Sequence, residues 1–491
     1  MTHPRLRHSR SPLALVPLTL LLPNLAFAGA GESFRHVVSV ANGLAWGPPM
    51  ILLLVGTGLY LTVRMGLIQF RGFRHGLRVL RGHYDHEQDP GELSHFRALA
   101  TALSATIGTG NIVGVAAAIL TGGPGAVFWM WITALVGMAT KFTCCTLAVH
   151  YRRVDARGEC HGGPMHYIEL GMGPRWKWLA VLFAVFTVLA SFGIGNMFQA
   201  NNVMTSLNSL LYGPEAQLGS GFRVVMAVGM ALAVGVVILG GLRRIASISG
   251  RIVPVMVVFY LGGGLLILLT HASEIPAALA TIFHAAFHAP EAVAGGLLGG
   301  VIRNGVARGL FSNEAGLGSA PIAHGAARTS EPVREGLVAM LGPFIDTIVV
   351  CSITALVIVI TGADAVTANK GLLTSTAFEL GLPGSGWMVN LSIILFAYST
   401  LIAWSYYGDR AADYLFGPRA VRPYRIVYTA MAGVGCLIQL NTVIDISDTM
   451  NGFMAVPNLI ALVVLSPVVA RLLRDYLARH DNSAINPGGN A

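Results

Sequence analysis

The stretch SATIGTGN at residues 104–111 decides the fold, because it interrupts a segment that is otherwise apolar from Ala98 to Leu120. Two glycines and three hydroxyl side chains in the middle of such a segment weaken helical continuity and leave backbone groups able to bind a ligand. A second stretch, GLFSNEAGLG at residues 309–318, interrupts another apolar segment in the same way. The sequence therefore predicts two broken helices.

The composition of the whole chain is that of a protein that crosses a membrane many times. Of its 491 residues, 54% are hydrophobic and only 11% are charged, whereas about a quarter of a soluble protein is charged. A disordered chain and a large soluble enzyme are therefore excluded. The 32 Lys and Arg residues are not clustered on a soluble domain, so we expect no nucleic-acid partner. The five cysteines contain no C-x-x-C pair and predict no disulfide framework.

Eleven segments are apolar enough and of suitable length to span a membrane, since a span needs about 20 such residues. They are predicted at Leu44–Val63, Ala98–Leu120, Ala126–Val149, Trp178–Leu211, Phe222–Leu239, Val253–Thr270, Ala292–Phe311 (continuing past a polar break to Ala327), Leu337–Ile360, Trp387–Tyr407, Ile426–Leu440 and Met450–Leu473. The predicted fold class is an all-α polytopic membrane protein.

The basic residues indicate the orientation of these segments. If the first segment starts outside, 23 of the 32 Lys and Arg residues fall on the inner side and three fall on the outer side. This asymmetry is a strong positive-inside signal. We therefore expect a bacterial inner (plasma) membrane protein with a periplasmic mature N-terminus and a short cytoplasmic tail at residues 474–491.

The N-terminus has the three parts of a signal peptide. Three arginines within the first ten residues precede the apolar run Leu13–Leu25, and AFA follows at residues 26–28. We predict a signal peptide at residues 1–28, followed at 29–97 by the first span and a basic cytoplasmic loop. The alternative is an uncleaved anchor that forms a twelfth span, but the run is short and contains Pro17 and Pro23.

The ten segments after the first divide into two sets of five, at residues 98–271 and 292–473, and each set begins with one of the broken segments. Because five is an odd number, the two sets cross the membrane in opposite directions. Interrupted, glycine-rich segments at matching positions of two halves indicate an inverted-repeat transporter. For a single such segment, close packing through Gly110 and Gly114 would be the better explanation.

Several motifs resemble those of the alanine or glycine:cation symporter family, also called the sodium:alanine symporter family. The most specific match is GGPGAVFWMWITALVG at residues 122–137. The others, spread over nearly the whole chain, are IGTGNI at 107–112, HGGPM at 161–165, SFGIGNM at 191–197, NEAGLGSA at 313–320, AYST at 397–400 and WSYYG at 404–408.

The resemblance implies a LeuT-type fold of the amino acid–polyamine–cation transporter superfamily, a 5+5 inverted repeat with one preceding helix. It also implies secondary active uptake of a small neutral amino acid (alanine, glycine or glutamine) driven by Na⁺ or H⁺. The two halves would rock around the broken helices to give alternating access. We expect no cofactor beyond the co-transported ion, and a protein that functions as a monomer.

In a LeuT-type fold the substrate lies at the first break. Its carboxylate would lie against the backbone of Gly108–Gly110, where missing side chains allow close approach, and Asn111 would bind the substrate or the cation. Phe192, Phe311 and Trp404 are expected to form apolar walls of the pocket. The predicted substrate-binding residues are Phe192, Gly108, Thr109, Gly110, Asn111, Asn196, Gln199, Phe311, Ser312, Asn313 and Trp404.

The fourth segment carries a polar face of its own. Ser191, Gly195, Gln199 and Asn202 recur at helical spacing, and a polar stripe in a membrane helix faces a cavity or the helix bundle. Asn196 and Gln199 are therefore candidate pocket donors. Interhelical hydrogen bonding is the equally weighted alternative.

Two adjacent hydroxyls in the ninth segment, Ser399 and Thr400, predict the cation site. With oxygens of Ser104, Thr106 and Ile107 they would form an oxygen cage suited to a hard cation such as Na⁺. On composition alone, hydrogen bonding of these hydroxyls to the preceding helical turn would be the better explanation. The matched AYST motif reverses that preference.

Charged residues inside a membrane are costly and usually functional. Asp346 and Glu314 are predicted to take part in ion coupling. Glu314 would alternatively pair with Arg308, and Asp346 would alternatively join two helices. Lys141 is expected near the inner end of its span, with its ammonium group reaching the interface.

Two other classes of protein compete with a symporter. A membrane-embedded enzyme would need a catalytic constellation, but the sequence contains no GxSxG and no HExxH. It also contains no ATP-binding GxxxxGK[ST] loop, which argues against primary pumping by this chain alone. A channel or facilitator for small solutes, without cation coupling, is the stronger alternative, and saturable uptake against a gradient would exclude it.

Overall fold

The computed structural model describes residues 36–155, 158–213, 219–288, 300–438 and 441–485, without the side chains of 441–444 and 480–485. The predicted signal peptide at 1–28 lies outside these residues.

The described chain is almost entirely helical. Residues 36–45 are helical, and the α-helices of four or more residues that follow are, in chain order, α1 (Pro48–Arg64), α2 (Ile68–Arg71), α3 (Phe73–Leu80), α4 (His95–Thr106), α5 (Val113–Gly122), α6 (Ala126–His150), α7 (Pro164–Gly171), α8 (Lys177–Phe192), α9 (Phe198–Tyr212), α10 (Ser220–Ile238), α11 (Gly241–Thr270), α12 (Ile275–His288), α13 (Gly300–Asn313), α14 (Ala320–His324), α15 (Pro332–Ala339), α16 (Ser352–Thr361), α17 (Ala363–Val366), α18 (Leu373–Gly381), α19 (Gly386–Phe416), α20 (Val421–Leu437), α21 (Asn441–Phe453) and α22 (Ala455–Ile485). Two short strands, β1 (Arg153–Val154) and β2 (Cys160–His161), pair antiparallel between α6 and α7.

Eight helical segments of the described chain are long and apolar enough to cross a membrane, and α4 with α5 forms a ninth that is bent by 63°. These correspond to nine of the eleven predicted spans. The seventh predicted span runs in part through residues 289–299, outside the described residues. The tenth forms α20, a helix of 17 residues. The prediction of an all-α polytopic membrane protein is confirmed, whereas the number eleven stays a prediction.

The outer surface of the helix bundle is apolar. Leu232, Val258 and Leu269 are 64%, 70% and 72% exposed, which is unfavourable in water but favourable in lipid. Hydroxyl, amide and carboxylate side chains, among them Ser104, Asn111 and Asp346, are buried inside the bundle. The protein is therefore arranged around a polar interior rather than around an apolar core alone.

Two π-helical stretches interrupt the long helices that surround the interior. Gly193–Met197 joins α8 to α9, and Phe344–Cys351 precedes α16. A π-helical turn inserts an extra residue into the helix and is frequent at functional sites. The first stretch contains Gly193 and Gly195, the second surrounds Asp346, and both lie next to the site described below.

The chain that leads into α4 is tied to the chain that leaves α14. Leu93 and Ala327 form an isolated parallel β-bridge, and the Arg328 amide donates to the Leu93 carbonyl at 2.6 Å. The Arg152 guanidinium donates to four backbone carbonyls on both sides of this junction, those of Pro90, Gly325, Ala327 and Thr329. The ends of these two segments that lie away from the breaks are thereby joined.

One expectation about charge is wrong. Lys141 is only 3% exposed, so its ammonium group does not reach the membrane interface. Its side chain lies inside the bundle, on the buried helix α6. The prediction used the hydropathy of one segment, which places Lys141 near the end of a span. The burial of its side chain depends on the packing of neighbouring helices, and hydropathy contains no information on that packing.

Candidate functional site

The first break lies where predicted. Helix α4 ends at Thr106, Gly108 is extended with φ −134° and ψ −153°, and a 3₁₀ turn over Thr109–Asn111 leads into α5. The Asn111 side chain holds this turn, because its Oδ1 atom accepts a hydrogen bond of 3.0 Å from the Gly108 amide. The break is thus stabilised by its own asparagine rather than left as an open loop.

The second break separates α13 from α14. Glu314, Gly316 and Gly318 have positive φ angles of 51°, 93° and 93°, a region that is costly for residues with a side chain. A side chain at Gly316 would also collide with Leu54, since its Cβ would lie 2.7 Å from the leucine. Asn313 Oδ1 accepts from the Ala315 amide at 3.0 Å, so an asparagine again holds the turn.

A small cavity lies between the two breaks. Its volume is about 20 Å³, which is room for about one water molecule. Both broken segments, the π-helical stretch and helices α9, α19 and α21 contribute to its wall. The lining residues are Ala105, Thr106, Gly108, Thr109, Gly110, Ile194, Gln199, Phe311, Glu314, Thr400, Trp404 and Asn451.

The structure brings most of the predicted pocket residues to this cavity. Six predicted substrate residues line it, and they come from four separate parts of the chain: Gly108, Thr109, Gly110, Gln199, Phe311 and Trp404. The predicted cation residues Thr106 and Thr400 and the predicted coupling residue Glu314 line it as well. Residues about 300 positions apart in the sequence therefore share one site.

The hydroxyls predicted for a cation site face the end of α4. Thr400 Oγ1 donates to the Ser104 carbonyl at 3.1 Å, and Ser399 Oγ lies 3.3 Å from the same oxygen. Ser104 Oγ in turn donates to the Ser399 carbonyl at 2.8 Å. Thr400 Oγ1 also lies close to Gly108, where a Cβ would approach it to 2.8 Å. Several oxygens thus converge at the last turn of α4, beside Thr106 and Ile107.

Asp346 forms the centre of a second polar cluster. It is fully buried, and it accepts hydrogen bonds from Asn111 Nδ2 at 2.9 Å, from Ser312 Oγ at 2.7 Å and from Thr347 Oγ1 at 2.7 Å. Asn111 belongs to the first break and Ser312 to the helix that precedes the second. A single carboxylate therefore connects both broken segments. These contacts agree with the alternative prediction that Asp346 joins two helices.

Four predicted substrate residues make other contacts in this structure. Asn111 and Ser312 bind Asp346, and Asn313 Nδ2 donates to Thr347 at 3.3 Å. Asn196 Nδ2 donates to the Tyr428 carbonyl at 2.7 Å, which matches the interhelical alternative. A fifth, Phe192, packs against Tyr424 and Tyr428. None of the five is among the residues that line the cavity.

Glu314 is 7% exposed and accepts a hydrogen bond from the Ser319 hydroxyl. No ion pair within 4.0 Å joins it to Arg308 in the described part of the chain; Arg308 instead lines a separate cavity with Asp448. The alternative in which Glu314 pairs with Arg308 is therefore not what the structure shows. Its carboxylate belongs to the central cavity.

Sequence reasoning missed several residues of the site. Ala105, Ile194 and Asn451 line the cavity, and no motif singled them out for it. The position of Ile194 depends on the π-helical turn, which shifts the face of the helix by one residue. Asn451 lies in the last predicted span, and the only available signal was that it is one of the few polar side chains of this segment.

Two broken helices around one polar cavity in a bundle of membrane-spanning helices define a secondary transporter of the LeuT type. The solved structure of MhsT in complex with L-phenylalanine has the same fold, with a TM-score of 0.53 and 13% sequence identity over 78% of this chain and 98% of that chain.

The model of the sodium:alanine symporter family matches residues 31–488, and the chain belongs to this family. It is 45% identical to the sodium/alanine symporter AgcS of Methanococcus maripaludis, over 92% of this chain and 99% of that protein. It is 38% identical to the probable sodium/glutamine symporter GlnT of Bacillus subtilis, over 91% of each chain. The predicted family, fold class and transport function are confirmed, and the protein is not an enzyme.

Proposed function

We propose that this protein takes up a small neutral amino acid, alanine or glycine, together with Na⁺. The observation that carries the proposal is the cavity that both breaks line, with the converging hydroxyl and carbonyl oxygens of Ser104, Ser399 and Thr400 directly beside it. A ligand in the cavity and a cation at these oxygens would be close enough to stabilise each other. Such mutual stabilisation is what couples two solutes in a symporter.

The substrate carboxylate would bind the backbone at the first break. The Gly108 amide already donates to Asn111, so we assign the carboxylate to the amides of Thr109 and Gly110, at the start of the 3₁₀ turn. The substrate ammonium group would lie toward Glu314, the acidic residue in the wall. Gln199 would add a hydrogen bond, because its Oε1 atom is buried without a partner among the described residues.

The size of the substrate would be limited by two aromatic residues. Phe311 and Trp404 line the cavity, and Trp404 is 2% exposed and packed against Gly195. This cavity must widen less for alanine or glycine than for an amino acid with a long side chain, and enlarging a packed cavity requires several side chains to move. This favours alanine or glycine over glutamine.

The cation would bind at the hydroxyl and carbonyl oxygens of α4 and α19. Na⁺ is a hard cation that prefers such oxygens, and Ser104, Thr106, Ile107, Ser399 and Thr400 supply them. A second cation, or a proton in place of Na⁺, would bind at the buried Asp346 cluster. In either case a cation bound at Asp346 would affect both broken segments, because Asp346 hydrogen-bonds to Asn111 of the first and Ser312 of the second.

The membrane arrangement is part of the proposal. The loop charges favour a bacterial inner membrane protein with a periplasmic mature N-terminus and a cytoplasmic C-terminus. We propose that one chain forms a complete transport unit, because this chain by itself supplies both breaks and a wall of twelve residues around the cavity.

The proposal is tested with purified protein in liposomes. We expect labelled alanine to accumulate above its external concentration when Na⁺ is high outside, and not when K⁺ replaces Na⁺. If accumulation requires a proton gradient and does not depend on Na⁺, the co-transported ion is H⁺ rather than Na⁺. Equilibration without accumulation under either gradient would overturn symport and support the facilitator. Competition by glycine, glutamine and both alanine stereoisomers would rank the substrates.

A further inference from the structure

A groove lies at the end of the bundle, away from the transport site. It is formed by the residues after α1, by α2 and α3, and by α15 and α22, and it encloses about 440 Å³. Arg71, His75 and Arg78 line one part of it, whereas Ile68, Leu473 and Leu477 line another. Basic and apolar groups therefore share one opening, which we call the α3–α22 groove.

The two arginines of this groove have no acidic partner. Within the described residues, no carboxylate oxygen lies within 4.0 Å of Arg71 or Arg78, although eleven other such pairs exist in the same structure. Both side chains are exposed, and the protein hydrogen bond of Arg71 is a 3.4 Å contact with the Gly66 carbonyl. Two guanidinium groups in one groove create a positive potential that attracts an anion.

The surroundings of the groove indicate that this anion belongs to a lipid. Val63, Leu67 and Phe70, on the segment that forms its edge, are 77%, 50% and 64% exposed. Large apolar side chains at such exposures are stable against hydrocarbon and unfavourable in water. The charged part of the groove thus lies beside a membrane-embedded edge, as a phospholipid headgroup lies above its acyl chains.

The charge pattern also selects the kind of lipid. The loop that contains Arg71 and Arg78 is one of the basic loops that the positive-inside pattern places on the cytoplasmic side. Basic pockets between membrane helices on that side bind the headgroups of anionic lipids. A zwitterionic headgroup would bring its own positive charge to the two arginines and would be disfavoured.

We propose that the α3–α22 groove binds an anionic phospholipid, with its phosphate at Arg71 and Arg78 and an acyl chain along Ile68, Leu473 and Leu477. The position of the groove gives this lipid a route to the transport machinery. Leu337, in its wall, belongs to α15, and an added Cβ at Gly72 or Gly76 would collide with this leucine. Glu335 of the same helix hydrogen-bonds to His95 at the start of α4 and to His324 at the end of α14. The bound lipid would therefore brace α15 against α3.

The test is lipid retention by the full-length protein, measured by native mass spectrometry after delipidation and titration with phosphatidylglycerol or phosphatidylcholine. We expect one tightly held phosphatidylglycerol, and binding at least about tenfold weaker in Arg71→Gln/Arg78→Gln, since each basic residue near a membrane surface contributes on the order of 1 kcal/mol. The matched control is Arg175→Gln/Arg419→Gln, which removes two exposed arginines of the same membrane side outside the groove. It should keep the bound lipid.

A second variant tests the apolar part without changing charge. Leu477→Trp would fill the groove beside the arginines and should release phosphatidylglycerol as well. Equal retention by the wild type and both groove variants would overturn the proposal, as would equal affinity for phosphatidylcholine. Displacement of the lipid by millimolar inorganic phosphate would overturn it too, because the groove would then be a site for a free anion. Unchanged thermal unfolding of the variants in detergent would show that they are folded.

Discussion

His95 and His324 are joined through one buried carboxylate: the Nδ1 atoms of both imidazoles hydrogen-bond to Glu335, each to a different oxygen. None of the three side chains is more than 1% exposed. His95 begins α4, His324 ends α14, and Glu335 lies in α15, so the cluster joins the two broken segments at their ends away from the breaks. Alternating access must either break this connection or move all three helices together.

Replacing Glu335 by Ala should destabilise the folded protein strongly. The change leaves two buried imidazoles without their common partner, and removing one member of a buried charged cluster costs about 3–5 kcal/mol. We expect a clearly lower unfolding temperature in detergent, measured by intrinsic fluorescence. The control is Asp85→Asn: Asp85 is 40% exposed and its Oδ1 atom lies 3.7 Å from His95 Nε2, beyond hydrogen-bond distance, so its loss should lower the unfolding temperature much less. Equal unfolding temperatures for Glu335→Ala and wild type would contradict the prediction.

Arg152→Lys should weaken the junction between Leu93 and Ala327, beside this cluster, without removing a charge. The planar guanidinium of Arg152 reaches four backbone carbonyls, whereas a lysine ammonium group offers three donors without the fork geometry. We expect hydrogen exchange of the Arg328 and Thr329 amides, which donate to Leu93 and Pro90, to become faster by about tenfold or more, since each unsatisfied group costs on the order of 1–3 kcal/mol.

Exchange at these amides can be read by mass spectrometry of peptides that cover residues 326–330. Arg153→Lys is the matched control, because the neighbouring Arg153 is exposed. If Arg152→Lys and Arg153→Lys exchange at the same rate, the guanidinium does not stabilise the junction.

Local signals in single segments predict much of this fold. The breaks are visible because glycines and hydroxyls cluster in otherwise apolar segments, and the structure places irregular backbone at Gly108 and at Glu314–Gly318. Thr400 and Trp404 reach the cavity because they lie one turn apart on the same helix, which sequence spacing reports directly. Such features need no knowledge of the neighbouring helices.

Contacts between distant segments were not predictable in this way. Asn196 lies near the polar side of its helix, but it belongs to the π-helical stretch, and its side chain donates to the Tyr428 carbonyl. Lys141 looked like a residue at the end of a span, and only the packing of the surrounding helices buries it. The His95–Glu335–His324 cluster joins residues up to 240 positions apart, so no local pattern indicates it.

Thr400→Val should weaken cation dependence more than it affects folding. The valine keeps the shape of the side chain but removes the hydroxyl that lies 3.1 Å from the Ser104 carbonyl, and a lost polar ligand costs on the order of 1–3 kcal/mol. We expect the Na⁺ concentration for half-maximal alanine uptake to rise by about tenfold or more. The measurement is initial uptake into liposomes over a series of Na⁺ concentrations.

Thr187→Val is the control for this change. Thr187 is also fully buried, and its hydroxyl donates to the Phe183 carbonyl one turn earlier in its own helix. Its loss should leave the Na⁺ dependence unchanged. An unchanged Na⁺ dependence in Thr400→Val would remove Thr400 from the cation site.

Gly195→Ala should impair alanine transport by moving the aromatic wall of the cavity. A Cβ at position 195 would lie 2.6 Å from the Cβ and Cγ atoms of Trp404, so the indole must shift toward the cavity that it lines. Overpacking of this kind costs about 1–3 kcal/mol. We expect the KM for alanine to rise by about tenfold, with a smaller effect on glycine, which lacks the methyl group that would meet the displaced indole.

Uptake of both amino acids by the same liposome preparation checks this prediction, and Gly229→Ala provides the matched control. Gly229 lies in α10, and a Cβ there would have no neighbour within 4 Å, so the same substitution should leave the KM for both substrates unchanged. Equal loss for alanine and glycine would mean that Gly195 serves helix packing and does not set the size of the substrate pocket.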